Sequence, residues 1–339
     1  MKKIRTIVVA LATLVLTACG GSNPKADDFE LKIIAPKGAP SLAFYDKAAD
    51  ANFVTSDGAH IKSEFGQKNY GMVVMEFYTG LRTIKKSNSN YRLARVLTGG
   101  NLYLVSRSGK TTAPTADDTV IAFGPGGTKG VPYLSLTTLY PEVNPDNIVM
   151  LEDGAAVQGA LISGTYTGKN GNEDKTIDVD YVVIPQPALA GALKKLESNE
   201  QVKPKIISGL REKANEVSNG EQKWVLQAGL FVHKDLYSEH KEIFDEELAQ
   251  IDKNIDTILE TPEVCQQTID ELLPNKDEQK LKFSCPTEMI PKISKNPKTP
   301  NGFGFIPAEE WNKIDVQSFL TFLGEEGPEN NYTEYMLEK

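Results

Sequence analysis

The stretch at residues 31–45, LKIIAPKGAPSLAFY, constrains the fold more than any other part of the chain. A short apolar run at 31–35 reads as a buried strand; Pro36, Gly38 and Pro40 break it, and Ser41 onward has the composition of a helix start. A strand, a tight turn and a helix N-terminus in that order leave the first helical N–H groups without intrahelical partners, with the positive end of the helix dipole behind them. Such a turn is suited to receive ligand oxygen atoms. The unit recurs. A run at 70–77 meets the turn Tyr78-Thr79-Gly80; a strand at 119–123 leads through a glycine-rich turn at 124–128 into a helix at 132–140. A strand at 147–151 then leads through Asp153-Gly154 into a helix at 155–162, and a strand at 179–184 through Pro185-Gln186-Pro187 into a helix at 188–196. Strands and helices alternating at this spacing imply parallel pairing with right-handed crossovers, hence an α/β fold.

A chain of 339 residues is long for one hydrophobic core, so two lobes are expected. Two β-rich segments, 92–98 and 102–106, lie on either side of Gly99-Gly100-Asn101 with no room for a helix between them. They read as a hairpin or as a strand that leaves its sheet, and the crossing to a second lobe falls there. The apolar run WVLQAGLFV at 224–232 is long enough to pass back. The expected lobes are therefore 29–105 together with 228–324, and 106–227. Within the second, 164–174 is a polar surface loop. After the return the chain turns helical: Phe244, Leu248, Ile251, Ile255 and Ile258 fall at helical spacing, and Thr261-Pro262-Glu263 starts another helix. A last helix is expected at 308–323, then a loosely held polar tail at 325–339.

The first residues, MKKIRTIVVALATLVLTAC, combine a basic start with an apolar run too short to span a bilayer as a mature helix, which reads as a secretion signal at 1–18. The sequence Leu16-Thr17-Ala18-Cys19 resembles the lipobox of bacterial lipoproteins. That resemblance implies cleavage before Cys19, a diacylglyceryl group on its sulfur, acyl chains such as palmitate, and a tether at 19–28. Two acyl chains are enough for stable anchoring on the extracytoplasmic face of a cell membrane. The formal net charge is −9 with the leader and more negative without Lys2, Lys3 and Arg5, which argues against nucleic acid as a partner. Of the remaining cysteines, a disulfide between Cys265 and Cys285 would close a loop of about 20 residues and stabilise by about 3 kcal/mol. Two reduced thiols, never within about 7 Å of each other, are the alternative.

The order of these pieces resembles the substrate-binding proteins of ABC importers, periplasmic-binding-protein type II, and within them the nitrate, sulfonate and taurine type with its thiamine-precursor relatives. GAPSLA, YRLARVLTGGNLYLVS, TVIAFGPGGT, YVVIPQPALAGAL, WVLQAGLFVHKD and FGFIPAEEW carry the likeness through their order and spacing. It implies two doubly wound α/β lobes joined by two hinge strands, a small-molecule ligand held between them, and an ABC permease and ATPase as partners. Where some pyrimidine-binding relatives carry an aromatic and an asparagine, this chain has Lys37-Gly38-Ala39, which counts against a pyrimidine ligand.

If strand ends converge on the cleft, contacts come from the turns after them. In the first lobe these are Ala39, Pro40, Ser41, Tyr78, Thr79 and Asn101. In the second they are Gly126, Gly127, Thr128, Asp153, Pro185 and Gln186, with Trp224 and Gln227 at the return crossing. Tyr78 and Trp224 offer stacking surface, and a small anionic or zwitterionic solute suits two facing helix N-termini. Against this stands the reading that glycine and proline only form turns and Asp153 only caps its helix. Enzymatic signatures are weak. Gly124, Gly126 and Gly130 have the wrong last spacing for a dinucleotide loop, and Leu104 stands where a phosphate loop ending in Gly109-Lys110-Thr111 needs glycine. His60, His233 and His240 lack metal-ligand spacing, and no Gly-x-Ser-x-Gly elbow occurs. The expectation is a binder without cofactor or metal; an enzyme on the same scaffold, with Asp153 as its acid or base, and a surface sensor are the alternatives.

Overall fold

In the computed structural model, which describes residues 29–170, 173–326 and 331–338, the apolar runs become the central strands of two five-stranded sheets. The leader, Cys19 and the tether lie outside the described residues. The first sheet contains β1 (Ile33–Pro36), β2 (Phe53–Ser56), β3 (Met72–Glu76) and β4 (Tyr91–Thr98). The second contains β5 (Leu102–Ser106), β6 (Val120–Phe123), β7 (Ile148–Leu151), β10 (Tyr181–Pro185) and β11 (Lys205–Gly209). Between β7 and β10, β8 (Thr165–Asn170) and β9 (Glu173–Asp178) form a separate two-stranded antiparallel ribbon where a loop was expected. The return strand β12 (Ala228–His233) completes the first sheet.

Strand order is β2-β1-β3-β12-β4 in the first sheet and β11-β5-β10-β6-β7 in the second. In each, the outer strands are parallel, and the strand arriving from the other half of the chain inserts antiparallel beside the third. The two lobes therefore share one topology, a repeat of architecture that the sequence does not display as similar residues. β5 belongs to the second sheet, so the crossing falls at Gly99–Asn101, a few residues before the expected boundary at 105. The return lies at 224–227, and only Ala228 onward is strand.

All five residues of β3 and of β10 are buried, as strands covered on both faces must be. Along β10 the side chains alternate: Tyr181 and Val183 join an apolar cluster that extends to Ile34, Phe77 and Leu93 of the first lobe, whereas Val182 and Ile184 face the helices Gly154–Ser163 and Ala188–Leu196. The helix Lys241–Glu260 lies on the first lobe, where Asn254 donates to Ala43 O at 3.0 Å and to Asp46 Oδ1 at 2.6 Å. The helix expected at 308–323 is broken into Ala308–Trp311 and Val316–Phe322, with Asp315 capping the second piece.

The described residues of the tail, 325–326 and 331–338, are not loosely held. Tyr332 is buried edge-on against Tyr78 at 5.7 Å, with the Lys85 ammonium 5.2 Å from its ring centre, and Leu337 N donates to Leu93 O at 2.8 Å. Aromatic residues in a polar segment outweigh its charge here, because each buries a large apolar area. Replacing Tyr332 with alanine should lower unfolding free energy by about 3 kcal/mol, read from urea midpoints. A change below about 0.5 kcal/mol would mean that the tail does not hold.

Candidate functional site

Turns from both lobes meet beside the crossing. Gly38, at φ +106, turns the chain after β1 so that Ala39 starts a short helix; Ser41 Oγ donates back to Gly38 O at 2.8 Å. A Cβ on Gly38 would lie 3.7 Å from Pro187 of the other lobe. Across the same gap, a Cβ on Gly126 would sit 2.7 Å from Thr79 Oγ1, so glycine alone allows this approach. Arg82 Nη1 donates to Lys129 O at 2.8 Å. Gln186 N donates to Asn101 O at 2.9 Å. Pro185 and Gln186 are buried at the end of β10, with Gln186 Oε1 accepting from Ala190 N at 3.1 Å.

The residues at the crossing carry unmet hydrogen-bonding capacity. Asn101 and Gln227 are each 6% exposed, and Asn101 Oδ1 and Gln227 Nε2 have no hydrogen-bond partner among the described residues. The same holds for Thr79 Oγ1. Their backbones are fixed: Gln227 N donates to Thr98 O and Gln227 O accepts from Phe77 N, both at 2.8 Å. A buried polar group left unpaired costs about 1–3 kcal/mol, and such groups gather where a further polar molecule is received.

Glu76, which the sequence reading passed over, stands at the centre. It ends β3 and caps the helix Phe77–Ser87, accepting from Tyr78 N at 3.2 Å and Thr79 N at 2.7 Å. It also accepts from Val131 N at 3.4 Å, the first residue of the helix Val131–Leu139 in the other lobe. The facing N-termini foreseen for a ligand anion are thus both engaged by a side chain of the protein. Glu76 is 8% exposed, and burial pushes its carboxyl above the usual range while the backbone donors pull it back. The available signal was a lone acid closing the apolar run MVVME.

Other expected contacts lie elsewhere. Tyr78 does not offer a stacking face: its ring is buried, and its hydroxyl donates to Glu325 Oε2 at 2.5 Å. Asp153 is exposed and accepts from Ala155 N at 2.9 Å, a helix cap in the structure. Gly127, at φ +58, and the exposed Thr128 form the turn before Val131. Trp224 is half-buried under the Arg211 guanidinium, 5.0 Å from the ring centre. With Lys223, Glu212, Asn215 and Glu310 these two line a cavity of about 240 Å³ at the return crossing. Cys265 and Cys285 are buried free thiols rather than a disulfide. They serve as small apolar side chains, and burial raises the Cys265 thiol and pushes Cys285 up to about 12. Among the described residues no cluster of three His, Cys, Asp or Glu side chains could hold a metal ion, and no helix is long and apolar enough to cross a membrane.

No protein-family model matches the chain, and no curated protein matches it in sequence. Solved structures do match in fold. A ligand-binding component of an ABC-type import system from Staphylococcus aureus, solved with zinc bound, superposes with a TM-score of 0.60 at 12% identity, over 91% of this chain and 96% of that one. An ABC transporter structure from Parabacteroides distasonis gives 0.57 at 13% identity, over 91% and 99%. The alkanesulfonate-binding protein SsuA from Xanthomonas axonopodis pv. citri, bound to MOPS, gives 0.56 at 10% identity, over 92% and 99%. The chain has the bilobal α/β fold of periplasmic binding proteins. Replacing Asp153 with alanine should cost about 1 kcal/mol of stability, as loss of a helix cap does, and leave solute affinity unchanged. A tenfold loss of affinity at unchanged stability would return Asp153 to the site.

Proposed function

We propose that this chain is an extracytoplasmic solute-binding lipoprotein that captures a small organic solute between its lobes and delivers it to an ABC permease and ATPase. One observation carries the reading: turns of both lobes meet beside the crossing, where Asn101 Oδ1 and Gln227 Nε2 are buried without partners. A solute touching both lobes favours the shut arrangement by its higher affinity for it. Ala39, Pro40, Ser41, Thr79, Asn101, Gly126, Pro185, Gln186 and Gln227 are the contacts we assign; Gly127, Thr128 and Trp224 border them. The names of the similar structures support a role in import, and the lipobox supports anchoring through Cys19. The acid nominated for chemistry, Asp153, caps a helix, which favours a binder over an enzyme.

Protein isolated from its own cells should release an unaltered small molecule on denaturation, identified by mass spectrometry. Added back, that molecule should raise the melting temperature by mass action. Release of nothing, or of a molecule the protein converts, would contradict capture. Replacing Cys19 with alanine should move the protein from the membrane to the soluble fraction; retention on the membrane would overturn the anchor.

A further inference from the structure

The position of Glu76 bears on which solutes the cleft accepts, an inference that rests on the capture reading above. Two helix N-termini face each other across the lobes, one from Phe77–Ser87 and one from Val131–Leu139. Helix ends of this length attract an anion through their unpaired N–H groups and their dipoles. Here those groups already meet a carboxylate: Tyr78 N and Thr79 N from one lobe and Val131 N from the other converge on the two oxygens of Glu76. The side chain comes from β3, a strand held in mid-sheet between β1 and β12, so it does not swing out without breaking the cap of its own helix. Beside it in the chain stands Thr79 with its hydroxyl, and Gln227, whose backbone carbonyl accepts from Phe77 N, carries a buried amide Nε2 without a partner among the described residues; neither adds net charge.

We propose that Glu76 is the specificity determinant of the cleft: it takes the anion's place at both helix N-termini, so the site admits an uncharged or cationic polar solute and rejects oxyanions. A second negative charge about 4 Å from a buried carboxylate is disfavoured by well over a hundredfold in affinity. Removal of the side chain leaves an oxyanion-sized space lined by three N–H groups.

The test uses the full-length chain as wild type, E76A and E76S, with folding checked by circular dichroism, and sulfate and ethanesulfonate as probes in calorimetric titrations. Wild type should bind both more weakly than about 10 mM, whereas both variants should bind at least tenfold more tightly. Sulfate should raise the melting temperature of E76A by clearly more than that of wild type, whose gain is the general salting effect alone. A variant that unfolds in plain buffer is melted in sulfate, where failure to refold counts against the proposal. Wild-type binding as tight as the variants', variants that gain no anion affinity, or a co-purified natural solute bearing net negative charge would overturn it. The two readings fail separately. Variants that gain anion binding in a protein that carries no natural solute would contradict capture alone; a natural solute released by wild type beside variants blind to anions would contradict only the role of Glu76.

Discussion

Each sheet depends on a strand delivered from the other half of the chain. β12 lies fully buried between β3 and β4, and without it β4 would have no partner in its sheet; β5 fills the equivalent place between β10 and β11. The two passages are bonded to each other, Val225 N to Gly99 O and Gln227 N to Thr98 O, both at 2.8 Å. Whatever sits on these passages is tied to both lobes at once, while turns further out belong to one lobe. That division explains why Asn101 and Gln227 are rigidly placed although both lie in connections. It also makes the first lobe dependent on the second in folding, since its sheet lacks β12 until the chain has crossed out and returned.

The lobes meet through contacts of different kinds. Gly126 against Thr79 is a steric fit, Arg82 to Lys129 O a single polar contact, and Glu76 an electrostatic one in which a carboxylate joins two helix N-termini. The Arg82 bond is the shorter at 2.8 Å and has a charged donor at the surface, whereas Val131 N reaches Glu76 at 3.4 Å in a buried setting. In the proposed reading, the same Glu76 contact that joins the lobes also sets the charge that a solute encounters. Bilobal binders with the same topology can in this way differ in ligand through one residue at a strand end.

The strand–turn–helix rhythm made the α/β class legible, and the double crossing followed from Gly99-Gly100-Asn101 and from the run at 224–232. What failed did so for physical reasons. β2 and β11 are short edge strands with little apolar signal, and the ribbon of β8 and β9 offers the core only the Tyr166–Ile177 pair among polar residues, so periodicity could not separate it from a loop. Tyr78 has the residue type of a ligand contact, yet the helix on which it sits turns it toward Tyr332, more than 200 positions away in sequence. Asn101, Gln186 and Gln227 were named from their place in turns and crossings, and the structure buries all three there. Glu76 was not, because an acid after four apolar residues looks like the end of a strand until the helix from the other lobe is seen to donate to it.

The central claim is that one solute is held between two lobes that close on it. The direct measurement is the distance between spin labels placed at the exposed residues Lys62 and Lys194, one on each lobe, before and after adding the solute that leaves with the native protein. The account predicts a longer, broader distribution without solute and a shorter, narrower one with it. An identical distribution in both states, with the solute demonstrably bound, would contradict it.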